Sequence, residues 1–580
     1  MKKFLLGIVA GLVIAVVTGV VLTFAAWKFA RKPPEPPKEA WLSLRLEGDL
    51  PEAPAVGLPL PALEDRSPMT VAEVWSVLHR AARDPKIKGV LLRPRGLSVG
   101  WGKAEELRQS LELVRKAGKP VYAWLASPAT KDYYVATAAD RIFLSPEDLV
   151  DLKGLRVEAA YFKGTLDKLG VEVEVEHIGK YKDAGDSFSR SSMSPETKES
   201  LNAVLDELYF RLCSAIGQSR HMKPEQVRVL LDDGPFLAPA AQSRGLVDEL
   251  SYESDVQEKL ATAAHLSASQ SIAAREYLRT APDNAGRKVR NIAYLVAQGD
   301  IVRGSIANLL GDERGINPQT MGRQLRQIGD DPSIRGVILR IDSPGGDAIA
   351  SDEILDEVKK LSRKKPMVIS MSDVAASGGY YIAMSGDPVI AYPGTLTGSI
   401  GVIYGKVNLK GLYEKVGISK EILKRGRFAD IDSDFQALTP EGRAKLRESL
   451  QFIYDGFLKK VGEGRHKPAA AIDPVAQGRV WLGAHAREKG LVDELGGLDK
   501  AVELLRKKAG LTENEGVRLV PYPGRRTLWE QLFTKRDSAE SGWSGGDGEA
   551  SLLLRQLPAG VAPWLQGGVL RVMPFTLQIR

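Results

Sequence analysis

Residues 84–93 read DPKIKGVLLR, and residues 331–340 read DPSIRGVILR, 247 positions further on. Each is an Asp-Pro turn that opens into an apolar, strand-like run, and a helix-period segment ends just before each turn. The same offset relates ATKDYY (129–134) to ASGGYY (376–381), and GKYKD (179–183) to GRFAD (426–430). Nearer the ends of the copies GLVDEL recurs at 245–250 and 490–495, and Arg220-His221 recurs as Arg465-His466, both 245 apart. One unit is therefore present twice, with only small insertions between the copies.

Outward from the Asp-Pro turns, residues 41–46 alternate as a strand should, and their counterpart is 292–296. Helical segments follow at 105–116 and 352–363, each closed by Lys-Pro, and lead into buried strands at 121–124 and 367–370. Strands alternating with helices predict parallel βαβ units covered on both faces, an α/β fold. The expected boundaries are a first copy over 41–250, a helical connector over 251–285 and a second copy over 286–510. The tail, 511–580, is expected to be partly disordered, because 538–551 is rich in Gly, Ser and Asp. Beyond that, 552–557 and 561–573 are apolar enough to dock on something.

Ahead of the first copy, residues 4–27 are an uncharged run of 24 residues. As a helix it would span ~36 Å, enough for a hydrocarbon core of ~30 Å. A secretory signal peptide is the competing reading, but the run is longer than the usual apolar region of about 7–15 residues, so 1–32 reads as a retained anchor. Basic residues flank it on both sides (Lys2, Lys3; Lys28, Arg31, Lys32), and charge alone does not settle its orientation. A Pro-rich stretch over 33–40 reads as a stiff spacer.

The charges are interleaved and the net charge is +7, which gives no case for a nucleic-acid binder. Cys213 is the single cysteine, which rules out an intramolecular disulfide framework and a Cys-rich metal site. The six histidines show no metal-ligand spacing, so neither a metal nor a cofactor is expected.

The chemistry lies in what each copy has lost. Ser377 stands in a small-residue turn, AASGGY, at the end of a strand, where the first copy has Thr130 followed by Lys131-Asp132. Such a turn exposes a hydroxyl at a helix N-terminus and offers the Ser377 N–H as an oxyanion donor. The loop DSPGGD (342–347) has paired glycines that free backbone N–H groups for the same task, and Gly346 faces Val99 in the first copy. A serine nucleophile needs a base. His177 is replaced by Lys424, and His221 and His466 are kept in both copies, which suits a scaffold role. Lys182, by contrast, faces Ala429, whereas its neighbour Lys180 faces the basic Arg427. A lysine serves as a base when burial makes its neutral form accessible. Nucleophile in one copy and base in the other make one composite site. Ser399, within TGSIG, faces Leu152 and is placed to orient the lysine amine.

On the motifs DSPGGD, AASGGYY, TLTGSIGV, GKYKDA and GLVDELG, in that order, the chain resembles the long, duplicated form of bacterial signal peptide peptidase A. The resemblance covers about residues 40–510 plus the amino-terminal anchor. It implies two tandem Clp-protease/crotonase-like domains behind an N-terminal transmembrane helix, and a Ser–Lys dyad split between them. Ser377 would be the nucleophile, Lys182 the general base, Gly346 an oxyanion donor and Ser399 a partner of the lysine. It also implies peptide substrates, namely remnant signal peptides and unfolded exported proteins. A homotetramer on the inner membrane is implied too, with its bulk on the periplasmic side. Two other classes stay open: a non-catalytic membrane scaffold, and an acyl-CoA enzyme of the crotonase fold.

Overall fold

In both copies the aspartate of the Asp-Pro turn accepts from the N–H two residues on (Lys86 to Asp84, 2.9 Å; Ser333 to Asp331, 2.8 Å). That turn stops a helix and starts a strand. The computed structural model describes residues 38–54, 67–280, 288–304, 315–512, 514–522 and 569–572, together with Gly11, Thr18, Gly19 and Gly524. The expected anchor falls almost wholly outside these residues. Among them no helix is long and apolar enough to cross a membrane.

The first copy supplies β1 (Ala40–Glu47), α1 (Val71–Arg83), β2 (Ile87–Arg95), α2 (Trp101–Lys116), β3 (Val121–Leu125), α3 (Thr130–Ala136) and β4 (Arg141–Leu144). It continues with β5 (Leu149–Val150), β6 (Glu172–Ile178), α4 (Pro195–Arg220), β7 (Phe236–Leu237), β8 (Glu249–Leu250) and β9 (Ser271–Ala273). Its six-stranded sheet has the order β8-β4-β3-β2-β1-β9, with all pairs parallel. Helix α1 starts in a capping box between Thr70 and Glu73, and buries Val71, Val74, Leu78 and Ala81, a 3–4 spacing that gives one apolar face. Strand β9 lies inside the expected connector and pairs with β1, so the first sheet extends beyond residue 250.

The second copy supplies β10 (Val289–Gln298), α5 (Pro318–Asp330), β11 (Ile334–Ser343), β12 (Gly345–Asp347), α6 (Ala348–Lys364), β13 (Met367–Ala376) and α7 (Gly378–Tyr381). Then follow β14 (Val389–Ala391), β15 (Leu396–Gly398), β16 (Val402–Asn408), α8 (Pro440–Arg465), β17 (Val480–Leu482), β18 (Glu494–Leu495), β19 (Gly516–Tyr522) and β20 (Val569–Val572). Its main sheet runs β17-β15-β13-β11-β10-β19, with β14 on β13 and β18 on β14. Strand β19 is the counterpart of β9 and pairs with β10, so this sheet also passes its expected boundary, at 510. Helices α4 and α8 are repeats of one another. Each has Pro at its start, a Ser194 or Thr439 cap, and a left-handed His221 or His466 that ends it.

Three features join the copies. Leu396 and Leu482, from the second, are buried in the core of the first, each worth ~2 kcal/mol of apolar burial. Arg340 is wholly buried, with a guanidinium nitrogen 3.0 Å from Glu52 and 2.6 Å from Glu106, both in the first copy. Burial works against the Glu52 carboxylate, but the charges of Arg340 and Lys103 outweigh it and hold its pKa down at about 2. A four-stranded sheet, β12-β20-β16-β6, then draws strands from both copies together.

Candidate active site

The sequence EVEVEHI alternates, and as β6 it pairs antiparallel with β16 from Ile178 opposite Val402 to Glu172 opposite Asn408. Its buried face carries Glu174 and Glu176, and helix α8 answers with Arg443, 3.0 Å from Glu174, and Arg447, 2.8 Å from Glu176. This register delivers the turn after β6 to the start of β16. Gly179, at φ 109°, allows the turn to press on the Gln477 backbone, and Tyr181 donates its N–H to the Gln477 carbonyl at 2.8 Å. Lys182 is thereby carried, fully buried, into the second copy.

Ser377 ends β13 and precedes α7, with φ 52° and ψ −114°, a conformation that non-glycine residues rarely hold. Packing over-determines it. A Cβ on Gly378 would lie 2.7 Å from Ser351 Oγ, and one on Gly379 2.5 Å from the Ser343 carbonyl, so helix α7 sits too close for any side chain at either position. Ser399, after β15, also has a left-handed φ, 51°. The Lys182 Nζ lies 2.7 Å from Ser377 Oγ, 2.8 Å from the Ser399 carbonyl and 2.9 Å from Ser399 Oγ. All three residues are inaccessible to solvent. The structure thus brings Lys182, Ser377 and Ser399 together, although Lys182 and Ser377 are 195 positions apart.

Gly346 lies beside this group. It is buried at φ 154°, and a Cβ there would fall 1.9 Å from the Ile301 carbonyl, so only glycine fits. Its nitrogen is 3.2 Å from where a Cβ on Gly378 would stand. The Ser377 N–H, expected as a second oxyanion donor, instead donates to the Gly398 carbonyl at 2.8 Å. The backbone at Ser377, with its positive φ, turns that N–H towards β15.

The surrounding charges are buried too. Lys103, from α2, stands 2.9 Å from Asp342 and 3.6 Å from Asp373, at the start of the glycine loop and on the strand that carries Ser377. Burial lowers its pKa, but those two carboxylates outweigh it and raise it, so Lys103 is a fixed cation. Asp183, next to Lys182, is pushed up to about 6 by burial, against the hydrogen bond from Thr197. Among the described residues no cluster of His, Cys, Asp or Glu is arranged to hold a metal.

Sequence reasoning missed Gln477 and Gly478. A Cβ on Gly478 would lie 2.6 Å from the Lys182 Cβ, so this glycine makes room for Lys182. The signal was present, since at the offset of 245 the first copy has Asp232-Asp233 in place of Gln477-Gly478.

The profile described as Peptidase family S49 matches residues 114–267 and again 359–512, together more than half of the chain. The chain is similar to "Serine protease SPPA, chloroplastic" of Arabidopsis thaliana, 36% identical over 451 residues, 76% of this chain and 66% of that protein. It is similar to "Protease 4" of Haemophilus influenzae, 33% identical over 453 residues, 74% of this chain and 71% of that one. Among solved structures, the ClpP protease catalytic domain from Plasmodium falciparum covers 35% of this chain and 85% of its own, at 12% identity and a TM-score of 0.22.

Proposed function

The chain belongs to peptidase family S49 and is a serine protease; from that premise we propose that it is an endopeptidase whose Ser–Lys dyad joins two tandem Clp-protease/crotonase-type domains. The observation that carries this reading is the 2.7 Å contact between Lys182 Nζ and Ser377 Oγ. A neutral amine has two N–H groups and one lone pair. Its two N–H groups match the carbonyl and hydroxyl oxygens of Ser399, at 2.8 and 2.9 Å, and its lone pair is left for the Ser377 proton.

As Ser377 Oγ attacks a peptide carbonyl, its proton passes to Lys182 Nζ and a carbon–oxygen bond forms. The electron pair displaced onto the carbonyl oxygen is stabilised by the Gly346 N–H. Collapse breaks the carbon–nitrogen bond, and Lys182 returns the proton to the leaving amine. Lys182 then takes a proton from water, whose oxygen attacks the acyl-enzyme and frees Ser377. Ser399 orients the amine throughout, as the third member of a triad orients its base. No step calls for a cofactor or metal.

The substrates proposed are extended peptides: remnant signal peptides and unfolded exported proteins. The apolar run over 4–27 supports a single-pass inner-membrane anchor with the bulk of the chain on the periplasmic side. We propose a homotetramer as the working assembly. Hydrolysis of an apolar peptide by the full chain tests the dyad. Ser377→Ala and Lys182→Ala should each lower kcat/KM by at least ~10³ with the fold intact. Full activity in either variant would falsify that residue's role. A folded parent with no hydrolysis would favour the scaffold reading instead.

A further inference from the structure

Strands β11 and β13 pair evenly as far as Ile341 opposite Met371, and again at Ser343 opposite Ala375. Between those points β11 has Asp342 alone, whereas β13 has Ser372, Asp373 and Val374. This bulge displaces the register by two residues just before β11 runs into the glycine loop and β13 into Ser377. Bulges beside active sites re-aim the residues that follow them. Two aspartates meet here, and Lys103, from α2 of the first copy, stands between them, 2.9 Å from Asp342 and 3.6 Å from Asp373. Its side chain is 3% exposed and theirs 12% each. Asp342 also accepts from the Val374 N–H at 3.2 Å. Asp373 accepts from the N–H groups of Gly100 and Lys103, at 2.7 Å each, and so caps α2 from the other copy.

The repeat marks these three residues as it marks the dyad. At the offset of 247, Lys103 faces Ala350, Asp342 faces Arg95 and Asp373 faces Ala126. Gly100 faces Asp347, which caps its own helix, α6, at 2.9 and 2.8 Å. A Cβ at Gly100 would collide with the Asp373 carboxylate. Neither copy could build this group alone. Two buried carboxylates on neighbouring strands repel, and a cation between them turns that repulsion into a fixed separation. We propose that Lys103 is a positioning residue for peptide hydrolysis: by bridging Asp342 and Asp373 across the bulge, it sets the distance between the Gly346 N–H and the Ser377 hydroxyl. The inference rests on the proposed peptidase reading. Burial raises the pKa of Asp342 and Lys103 opposes it, so without the lysine this aspartate takes up a proton or moves away. Either change loosens the loop that presents Gly346.

The test uses the full chain with Lys103→Met, at a temperature where circular dichroism shows the variant folded. A shift of about 1 Å between nucleophile and oxyanion donor costs about 10²-fold in rate. For an apolar peptide kcat should fall by that factor, with KM within about threefold of the parent. Lys103→Arg keeps a cation between the carboxylates and should recover at least about tenfold of the loss. If Lys103→Met does not fold, Asp342→Asn breaks the bridge on the glycine-loop side and leaves the Asp373 cap in place. Its kcat should fall by about tenfold or more. A folded Lys103→Met that melts earlier but keeps the parent's kcat would be a structural variant only, and overturns the proposal; so does a change confined to KM. A second readout needs no catalysis. Amide exchange over 342–347, followed by mass spectrometry, should be about tenfold faster in Lys103→Met, with the filled loop at 126–132 unchanged. No hydrolysis by the parent counts against the peptidase reading, and the bridge is then decided by exchange alone, where equal rates overturn it.

Discussion

The two copies carry the same pair of loops at the ends of equivalent strands and close them in opposite ways. In the first copy Asp132 stands where the second has Gly379, and its carboxylate accepts from the N–H groups of Gly96, Leu97 and Ala129 at 3.2, 3.0 and 2.9 Å. Lys131, in the place of Gly378, donates to the Val99 carbonyl at 2.6 Å and lies over the Trp101 ring. Side chains thus fill the first site, and glycines keep the second one clear. The reverse holds for the segment that carries Lys182. In the first copy GKYKD follows β6, which is a strand because β16 of the second copy pairs with it. In the second copy the residues at 419–425 form no strand, and Ala429 is exposed. A duplicated fold can divide one site between its copies when each keeps the half that the other has filled or exposed.

The largest effect expected from this asymmetry falls on a pair of arginines that occupy one position of the repeat. Arg340 is wholly buried between Glu52 and Glu106, whereas its counterpart Arg93 remains partly exposed beside Glu253. Removing the central cation leaves two carboxylates buried without it, and breaking a buried pair costs about 3–5 kcal/mol. Arg340→Met should therefore lower the unfolding free energy by that amount, and Arg93→Met by about 1 kcal/mol or less. Denaturant melts of the two variants check it, and equal losses would show that the arginine cluster does not join the copies.

A second pair tests the same contrast through pH. Asp183 and Asp430 end the repeated motifs, yet burial pushes Asp183 up to about 6, while a hydrogen bond from Lys424 lowers Asp430. For Asp183 the folded value exceeds the ordinary 3.8, so its contribution is fully favourable below about pH 4 and is lost as pH rises through 6. The loss is about 3 kcal/mol at 1.36 kcal/mol per unit. For Asp430 the sign reverses: stability is present above its ordinary value and is lost as pH falls through the lowered one. Asp183→Asn should flatten the decline in stability between pH 4 and 6. Asp430→Asn should weaken the fold slightly at pH 7 and lose that effect in acid. Melts over pH 3–7 separate the two, and parallel curves would contradict the different burial of the motifs.

Much of this was legible because the exchanges between copies mark function by subtraction. Ser377 against Thr130, Lys182 against Ala429, and Ser399 against Leu152 each name a residue that only one copy keeps. The buried strands were legible as apolar runs. Their ends were not: β13 continues six residues past Ser370, through Ser372 and Asp373, because β15 pairs with its far end. The three-residue edge strand β9 is too short to show a period, and only its pairing with β1 makes it a strand. The direction of the Ser377 N–H was out of reach for a related reason. It depends on a left-handed backbone and on the Gly398 carbonyl, a contact between loops that no local pattern encodes.

Gly478 sharpens the comparison at Lys182 itself. Its counterpart, Asp233, is exposed and pairs with Arg244 at 2.9 Å. Gly478 has a positive φ, 76°, and its missing Cβ leaves room for the Lys182 backbone and Cβ. Gly478→Val should push the lysine out of line by about 1 Å, a displacement that costs about 10²-fold in rate. The change should appear in kcat, with Asp233→Ala close to the parent. Unaltered turnover in Gly478→Val would mean that the 477–479 loop does not set the position of Lys182.

The smallest effect is expected where the first copy has plugged its own loop. Asp132→Ala removes the acceptor shared by three backbone N–H groups, two of them on the loop equivalent to the glycine loop of the second copy. Buried donors left without a partner cost about 1–2 kcal/mol, which a denaturant melt resolves. Peptidase activity should stay within twofold of the parent, because Asp132 lies in the copy that supplies the base through a different segment, the turn after β6. If activity instead fell with stability held by a second, compensating substitution, the filled loop would be acting on the dyad at a distance. The division of labour between the copies would then be incomplete. A loss of stability alone is what the packing predicts, since the carboxylate satisfies from within the backbone donors of the filled loop.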